Sequence, residues 1–379
     1  MKPALTAPVS YCESLPRLRD KLSVALGRTP REAPSADYLT LQPSPRAIVD
    51  RATGGYIPGW YETFEGMPNI ADSCAPKRAF QTWYHLQIDH PDRFVVLNLA
   101  NVALASNVAI LVFDKKAEVF DHVSIVRPFR AGLVSLSADL SRIEDKATAS
   151  WIERKGDRVF FSLRAGHLRA EGEARSSIGP EFVQVTGFQH GRGSFQRYGN
   201  LELIRGTLSV GSRVHQLEPG LPIASDQTAG HQRGLQHWHW LCTSGYARNE
   251  RTGERVAFGM QLAQDRERAV PHAVGHKYLL WLGGKLHKFE QAEVDYRVLS
   301  ADTRDTGPWR IRMWRDTPQL SADVAIVPRA HRREKKSVIL MDADFNQHYG
   351  ELTGSVVVDG ETYRLEPSFA TLEDSRLEI

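Results

Sequence analysis

The chain has 379 residues, with 48 Lys and Arg against 45 Asp and Glu, and a formal net charge of +3. Hydrophobic residues make up 41% and charged residues 25%, which excludes a largely disordered chain and indicates globular domains with their own cores. So small an excess of positive charge, with no long basic cluster, argues against a nucleic-acid partner.

The cysteines and the N-terminal residues bear on the cellular compartment. Cys12, Cys74 and Cys242 are too few and too widely spaced for a disulfide framework or a zinc knuckle. An odd number of cysteines fits a reducing compartment. The N-terminus has no apolar core long enough for a signal peptide. The sequence also contains no stretch of about 18 apolar residues, so no membrane span is expected. We therefore expect a cytoplasmic protein of unknown oligomeric state.

The first 45 residues differ from the rest of the chain. Leucines recur there at roughly helical spacing, and a Pro- and Ser-rich stretch from Pro30 to Pro45 follows them. This pattern predicts a short helix and an arm that packs over the main body. The leucines that define the helix are Leu15, Leu18, Leu22 and Leu26.

From Thr82 onward, apolar and polar residues alternate with period two, which predicts β-strands. Two tight turns support this, because residues 155–157 (Lys-Gly-Asp) and Asp359-Gly360 each separate two β-rich runs. Other predicted strands in the first half cover residues 93–100, 107–114, 118–126, 147–154, 158–163 and 167–174. In the second half one predicted strand begins near Gln236, and the others cover residues 255–262, 277–282, 287–299, 309–314, 337–341, 352–358 and 362–365.

Roughly fifteen short strands with few helical windows favour barrels or sandwiches, and closed barrels leave no sheet edge exposed. Segment 206–230 contains Gly, Pro and Ser and is the expected crossing between the two halves. We therefore predict an N-terminal arm over residues 1–45, a first barrel over residues 46–210 and a second barrel over residues 211–379.

Several short motifs resemble one bacterial family. They are Trp83-Tyr84 within residues 77–89, Trp238-His239-Trp240, residues 284–288 (Gly-Lys-Leu-His-Lys), 347–350 (Gln-His-Tyr-Gly) and 354–360. Together they resemble domain of unknown function 2804, which is similar to the AttH-like and carotenoid 1,2-hydratase group of double-calycin proteins. The resemblance covers roughly residues 56–370 and implies a mainly β fold of two tandem lipocalin-like (calycin-like) antiparallel β-barrels, preceded here by the short helical arm. It also implies an enclosed, aromatic-lined pocket with one buried acid, because the related hydratases and cyclases protonate or fold an alkene.

The densest group of candidate site residues lies between residues 226 and 240. Alternate residues on a strand share a face, so Trp238 and Trp240 should point one way and His237 and His239 the other. Three interpretations stay open for this segment: a metal site in which the two histidines bind one ion, acid–base catalysis by His237 or His239 with Asp226 orienting the ring, and a purely structural role. His231 and Arg233 belong to the same segment.

Two further groups could contribute. Asp344, with His348 and Tyr349 nearby, could supply a carboxylic acid that stays protonated in an apolar cavity, although an Asp there could equally begin a turn. Aromatic residues could grip a planar ligand or simply pack in the core. This group comprises Trp60-Tyr61 and Trp83-Tyr84-His85, and on a strand Trp83 and His85 should face oppositely to Tyr84.

The leading hypothesis is a cofactor-independent hydratase, isomerase or cyclase that acts on a small apolar or amphipathic unsaturated molecule by acid–base catalysis in a barrel pocket. Two alternatives are a non-catalytic lipid or fatty-acyl binding protein and a His-ligated metalloenzyme. The leading hypothesis needs no metal and no other cofactor. Its candidate catalytic residues are Asp226, His237, His239, Asp344 and Tyr349, and its candidate substrate-binding residues are Trp60, Trp83, Tyr84, Arg233, Trp238, Trp240 and His348.

Overall fold

The computed structural model describes residues 42–44, 46–64, 68–77, 80–102, 105–128, 134–137, 139–187, 191–232, 235–265, 276–300, 306–315, 320–338 and 341–378. These residues form 23 strands and one 3-10 turn, Ile70–Asp72. The strands make two antiparallel sheets of 14 and 9 strands, which confirms the prediction of a mainly β protein with two tandem β units. The predicted helix of the N-terminal arm lies outside the described residues.

The first sheet curls around its own apolar interior. Its strand order is β5-β4-β3-β2-β14-β12-β10-β9-β8-β7-β6, with β1, β11 and β13 paired to its side, and β9 also contacts β4 and β5 across the curl. The strands are β1 (Gly59–Tyr61), β2 (Phe80–Asp89), β3 (Arg93–Val102), β4 (Ala105–Asp114), β5 (Val119–Pro128), β6 (Val134–Leu136), β7 (Arg142–Asp145), β8 (Ser150–Lys155), β9 (Arg158–Ala165), β10 (Leu168–Arg175), β11 (Phe182–Gly187), β12 (Gly193–Val210), β13 (Arg213–Leu217) and β14 (Pro222–His231).

Segment 206–230 is not a crossing, contrary to the prediction. It contains the end of β12, the whole of β13 and most of β14, all of which belong to the first sheet. Two of its four glycines lie in the turns between these strands, where Gly211 has a φ of 61° and Gly220 a φ of 87°, whereas Gly206 and Gly230 lie within β12 and β14. The first sheet therefore continues to His231, and the chain passes to the second sheet between residues 231 and 235.

The second sheet has the order β18-β17-β16-β15-β23-β22-β21-β20-β19. It also curls, because Leu280 of β17 and Trp309 of β20 come from opposite ends of this order and pack in one apolar cluster. The strands are β15 (Leu235–Asn249), β16 (Arg255–Asp265), β17 (Lys277–Leu282), β18 (Lys285–Lys288), β19 (Gln291–Val298), β20 (Thr306–Trp314), β21 (Leu320–Val338), β22 (Met341–Val358) and β23 (Glu361–Glu378).

The local turn predictions had mixed outcomes. Asp359 and Gly360 have φ values of 51° and 79° and join β22 to β23, as expected for a two-residue hairpin of the primed type. Gly156 and Asp157 likewise join β8 to β9. The prediction of one strand over residues 337–341 was wrong, because β21 ends at Val338 and β22 begins at Met341. The strand predicted over residues 287–299 is divided between β18 and β19.

We call the two curled sheets the first barrel (residues 59–231) and the second barrel (residues 235–378). Each has a packed apolar interior; Leu86, Leu97 and Phe161 are among the buried residues of the first, and Phe258 and Met260 among those of the second. The domain boundary predicted at residue 210 stays a prediction. The first sheet itself continues beyond residue 210.

The barrels pack against each other through the outward-facing residues of their central strands. Gln87 of β2 donates a hydrogen bond to the backbone oxygen of Phe369 (3.1 Å) and accepts one from the Thr371 hydroxyl (2.7 Å). Asp89 accepts a hydrogen bond from the Phe369 backbone nitrogen (2.8 Å). These bonds join β2 of the first barrel to β23 of the second, so the outer faces of both sheets form a buried seam.

Two further findings concern the whole chain. Cys74 is disulfide-bonded, which the cysteine count did not predict, whereas Cys242 is a buried free thiol. In the part of the chain that the structure describes, no helix is both long and apolar enough to cross a membrane.

Candidate functional site

A cavity of about 260 Å³ lies in the seam between the two barrels. The sequence predicted a barrel pocket but did not decide whether it lies inside one barrel or between the two; this cavity is bounded by the outer faces of both sheets. Its first-barrel wall includes Gln81, Trp83, His85, Asn98, Tyr198 and Asp226, and its second-barrel wall includes Trp238, Trp240, Lys277, Arg332, Phe345, Gln347 and Glu373.

The strand alternation explains which side chains reach the cavity. On β2, Tyr84, Leu86 and Ile88 enter the first barrel's interior, which leaves Trp83 and His85 on the opposite face. On β15, Leu241 enters the second barrel, whereas Trp240 and Cys242 pack in the seam. The predicted division of residues 236–242 between two faces therefore matches the structure.

Asp226 of β14 is a carboxylic acid in the cavity wall. Its residue is only 5% exposed, and burial raises its pKa from 3.8 to about 7. The positive charge of Lys277 and hydrogen bonds from Thr228 and Trp83 oppose this rise, whereas the negative charge of Glu373 adds to it. Asp226 can therefore hold a proton near neutral pH and can exchange it with a bound molecule.

Glu373 of β23 is the second buried carboxyl group of the cavity. The indole nitrogen of Trp238 donates a hydrogen bond to its Oε2 (2.8 Å), and the amide of Gln347 donates one to its Oε1. Gln347 is held in turn by hydrogen bonds from Arg332 (2.9 Å) and from the Tyr349 hydroxyl (2.9 Å). Burial raises the pKa of Glu373, and the bonds from Gln347 and Trp238 oppose the rise.

His85 is the third titratable group in the wall. Its ring meets the Trp240 ring edge-on, with 4.9 Å between centroids. Burial lowers the pKa of His85 to about 3, so the imidazole is neutral at physiological pH. The arrangement thus combines a neutral imidazole, an acid that is partly protonated at pH 7, and several indole rings.

The structure brings together five of the sequence-predicted site residues at this cavity. They are Trp83, Asp226, His237, Trp238 and Trp240.

Other predicted residues lie elsewhere. Tyr84 belongs to the first barrel's interior, and Trp60 packs in a separate seam cluster with Phe182 and Trp281. Asp344 makes two hydrogen bonds of 2.9 Å with Arg333.

Two predicted residues on β22 also lie outside the cavity wall. His348 stacks on His331, with 4.4 Å between ring centroids, and Tyr349 lies behind Gln347 and donates to it. Arg233 lies outside the described residues.

His237 and His239 point toward Asp374 of the second barrel. The Nε2 atoms of His237 and His239 are 3.0 and 3.8 Å from Asp374 Oδ1, and the Tyr296 hydroxyl donates to Asp374 Oδ2 (2.6 Å). Among the described residues, no group of three or more His, Cys, Asp or Glu side chains is arranged to hold a metal ion.

Several residues that line the cavity were not among the candidate site residues. His85 belongs to the predicted Trp83-Tyr84-His85 group, and the structure places it in the cavity wall with Trp83. Gln347 was noticed only as part of a family motif, and Glu373 carried no local signal, because their position depends on strand pairing between distant segments. Lys277 and Arg332 were missed for the same reason.

Solved structures with low sequence identity resemble this chain. Kievitone hydratase from Nectria haematococca is similar at 10% identity, with a TM-score of 0.49 over 78% of this chain and 88% of that chain. A putative AttH protein from Nitrosomonas europaea has 11% identity and a TM-score of 0.46 over 78% and 92% of the two chains. CghA has 11% identity and a TM-score of 0.46 over 91% and 97%. Among curated proteins, no sequence matches this chain.

A family comparison covers most of the molecule. The family described as a domain of unknown function, DUF2804, matches residues 59–378. This range begins with β1 and ends with β23, so it contains both barrels and both walls of the cavity. The resemblance inferred from the Trp83, Trp238 and Trp240 motifs is confirmed, and the protein belongs to the DUF2804 family.

Proposed function

We propose that the protein is a cofactor-independent hydratase, isomerase or cyclase that protonates an unsaturated small molecule in the cavity between the barrels. One observation carries this proposal: the cavity wall contains the Asp226 carboxyl group, whose pKa burial raises to about 7. A carboxylic acid that keeps its proton near neutrality can transfer it to a carbon–carbon double bond or an enol.

The remaining steps use groups already described. When Asp226 gives its proton to an alkene carbon, the neighbouring carbon becomes electron-deficient, and the faces of Trp83, Trp238 and Trp240 can stabilise this positive charge. Attack by water and then loss of a proton from its oxygen complete a hydration. Attack by a second double bond and then loss of a proton from the new cation complete a cyclisation, and loss of a different proton from the first cation completes an isomerisation. Glu373 can accept the released proton in each case, and the proton balance is restored when Asp226 is reprotonated.

His237 also borders the cavity, and Asp374 orients its ring. Its predicted part in proton transfer is therefore retained in the proposal. An amphipathic ligand is retained as well, because the cavity wall contains both polar and aromatic side chains, which supports an amphipathic rather than a purely apolar ligand.

Replacing Asp226 tests the proposal. In Asp226→Asn the amide has nearly the same shape but cannot donate an acidic proton, so we expect turnover of an unsaturated substrate to fall at least 100-fold. The assay is mass spectrometry of products from a panel of unsaturated polyketides and lipids. Asp344→Asn is the matched control, because Asp344 pairs with Arg333 away from the cavity, and it should retain wild-type turnover.

Two outcomes would contradict the proposal. Equal turnover by wild type and Asp226→Asn would show that Asp226 is not the acid. Tight co-purification of a panel lipid without any change in its mass would favour the alternative, a lipid or fatty-acyl carrier, which needs the cavity but no acid.

A further inference from the structure

Five polar atoms of cavity-lining side chains have no hydrogen-bond partner among the described residues. Four of the five residues are strongly buried, with exposed fractions of 1% for Gln81, 3% for His85, 6% for Gln232 and 7% for Trp240, and the fifth, Asn98, is half-buried. The atoms are Gln81 Oε1, His85 Nε2, Asn98 Oδ1, Gln232 Nε2 and Trp240 Nε1.

This concentration needs an explanation, because buried polar groups in folded proteins are nearly always hydrogen-bonded. Other polar side chains of the same cavity do form hydrogen bonds within the protein. Gln347 accepts from Arg332 and donates to Glu373, and Trp238 donates to Glu373. The five atoms are therefore available to a bound molecule, whereas the neighbouring network is already complete.

Three of these side chains lie close together. His85 of β2 and Asn98 of β3 are directly opposite each other in the strand pairing, and the His85 ring contacts the Trp240 ring from the other barrel. One end of the cavity thus presents an imidazole, an amide and an indole N–H from three different strands.

The chemistry of these groups specifies what they can bind. Trp240 Nε1 can only donate, the Gln232 amide nitrogen donates, and the oxygens of Gln81 and Asn98 accept. A hydroxyl group both donates and accepts, and a carbonyl group accepts. A hydrocarbon or an aliphatic acyl chain would leave all of these atoms unpaired, which costs binding free energy for each one.

We propose that the substrate carries at least two hydroxyl or carbonyl oxygens, bound by Gln81, His85, Asn98, Gln232 and Trp240, and that these side chains select it over hydrocarbons of the same shape. This inference rests on the proposed function for the assignment of the cavity as a substrate site. It goes further by naming an oxygenated class of unsaturated molecule.

The test compares two probes with one carbon skeleton, trans-stilbene and its 3,5,4′-trihydroxylated form. Equilibrium dialysis with wild type and with Asp226→Asn measures binding without depending on turnover. We expect the trihydroxylated probe to bind at least tenfold more tightly. Asn98→Leu removes an amide while nearly keeping its shape, and Trp240→Phe removes the N–H; each should weaken binding of the trihydroxylated probe by about tenfold, the equivalent of about one hydrogen bond, and should not weaken binding of stilbene.

The control is Gln216→Met, which alters an exposed glutamine of β13 outside the cavity wall and should leave both affinities unchanged. Thermal denaturation of each variant verifies that it is folded. Equal affinity for the two probes, no measurable binding of the trihydroxylated probe, or unchanged affinities in both Asn98→Leu and Trp240→Phe would overturn the inference. A preference for the hydroxylated probe without turnover of any substrate would contradict only the proposed function, so the two failures are distinguishable.

Discussion

Two opposing influences set the pKa of the Asp226 carboxyl group. Burial between the barrels favours the neutral acid, whereas Lys277 and the hydrogen bonds from Thr228 and Trp83 favour the carboxylate. Burial prevails, and Glu373 acts in the same direction. A carboxyl group balanced in this way near neutral pH is suited to giving and regaining a proton in each catalytic cycle.

The first pH prediction concerns activity. The reactive form of Asp226 is the protonated acid, and its fraction falls as pH rises through about 7. We therefore expect the turnover rate to fall about tenfold for each pH unit above 7, measured as initial rates between pH 5 and pH 9. A rate that rises across pH 7 would contradict the assignment of Asp226 as the acid.

The second pH prediction concerns stability. Between the ordinary pKa of 3.8 and the raised value of about 7, the folded protein holds a proton on Asp226 that the unfolded chain has released. This contribution to stability is present at low pH and declines as pH rises, by up to about 1.4 kcal/mol per pH unit. Asp226→Asn cannot ionise. Its free energy of unfolding, measured in urea, should therefore increase relative to that of wild type as pH rises from 5 to 7. A constant difference between the two proteins would contradict the raised pKa.

At the scale of single elements, the central strands β2, β14, β15 and β23 position the site. The alternation of β2 and β15 was readable from the sequence, whereas most of β14 fell in the segment predicted as a crossing. Residues 236–242 show how much the alternation can predict. The pattern correctly placed Trp238 and Trp240 on one face, because period two is a property of the strand itself. It could not select Glu373, which pairs with Trp240 across the strands, because the chain contains many acidic residues and pairing depends on the whole sheet.

Strand β22 illustrates a constraint on a single residue. At Gly350 a Cβ atom would lie 2.3 Å from the backbone oxygen of Val327 and 2.8 Å from Pro328 Cα. The partner strand β21 has a bulge at this level, between Pro328 and Ala330, and bulges bend the strands that contain them. The close approach of the two backbones therefore requires glycine.

We expect Gly350→Ala to lower the free energy of unfolding by about 1–3 kcal/mol, because the backbone of β21 would have to move. Gly307→Ala is the matched control: it is also a strand glycine, and the nearest atoms to its Cβ would be 3.8 Å away, so its effect should stay within about 0.5 kcal/mol. Urea denaturation of both variants measures the difference. Equal losses of stability in the two variants would show that the close contact with Val327 does not explain the effect of Gly350→Ala.

At the scale of the whole molecule, the two barrels act as the walls of one site. The sequence predicted two β units and an aromatic pocket, but it could not decide whether the pocket lies inside one barrel or between the two. Barrel interiors and the seam are both lined by alternate residues of the same strands, so periodicity cannot tell one face from the other. Only the packing of one sheet on the other shows that the face with Trp83, Asp226 and Trp240 encloses the cavity.

A cluster of aromatic rings holds this seam together, and Phe369 lies at its centre. Its ring is 5.4 Å from that of Phe94 and 5.3 Å from that of Phe113, both in the first barrel, and its backbone bonds to Gln87 and Asp89. Phe369 belongs to β23, which also carries Glu373 into the cavity. The packing of the barrels and the geometry of the site are therefore coupled.

Phe369→Ala should separate the unfolding of the two barrels. Removing the ring should cost about 3–5 kcal/mol, and most of the loss falls on contacts between the barrels rather than within one. Phe289→Ala removes the same ring from the second barrel's interior and should cost a similar amount while leaving the seam intact. Hydrogen exchange in urea, followed by mass spectrometry of peptides from β3 and β16, reports on each barrel separately. We expect one shared transition in wild type and Phe289→Ala, and two transitions in Phe369→Ala; a single transition in Phe369→Ala would show that other seam contacts are sufficient to couple the barrels.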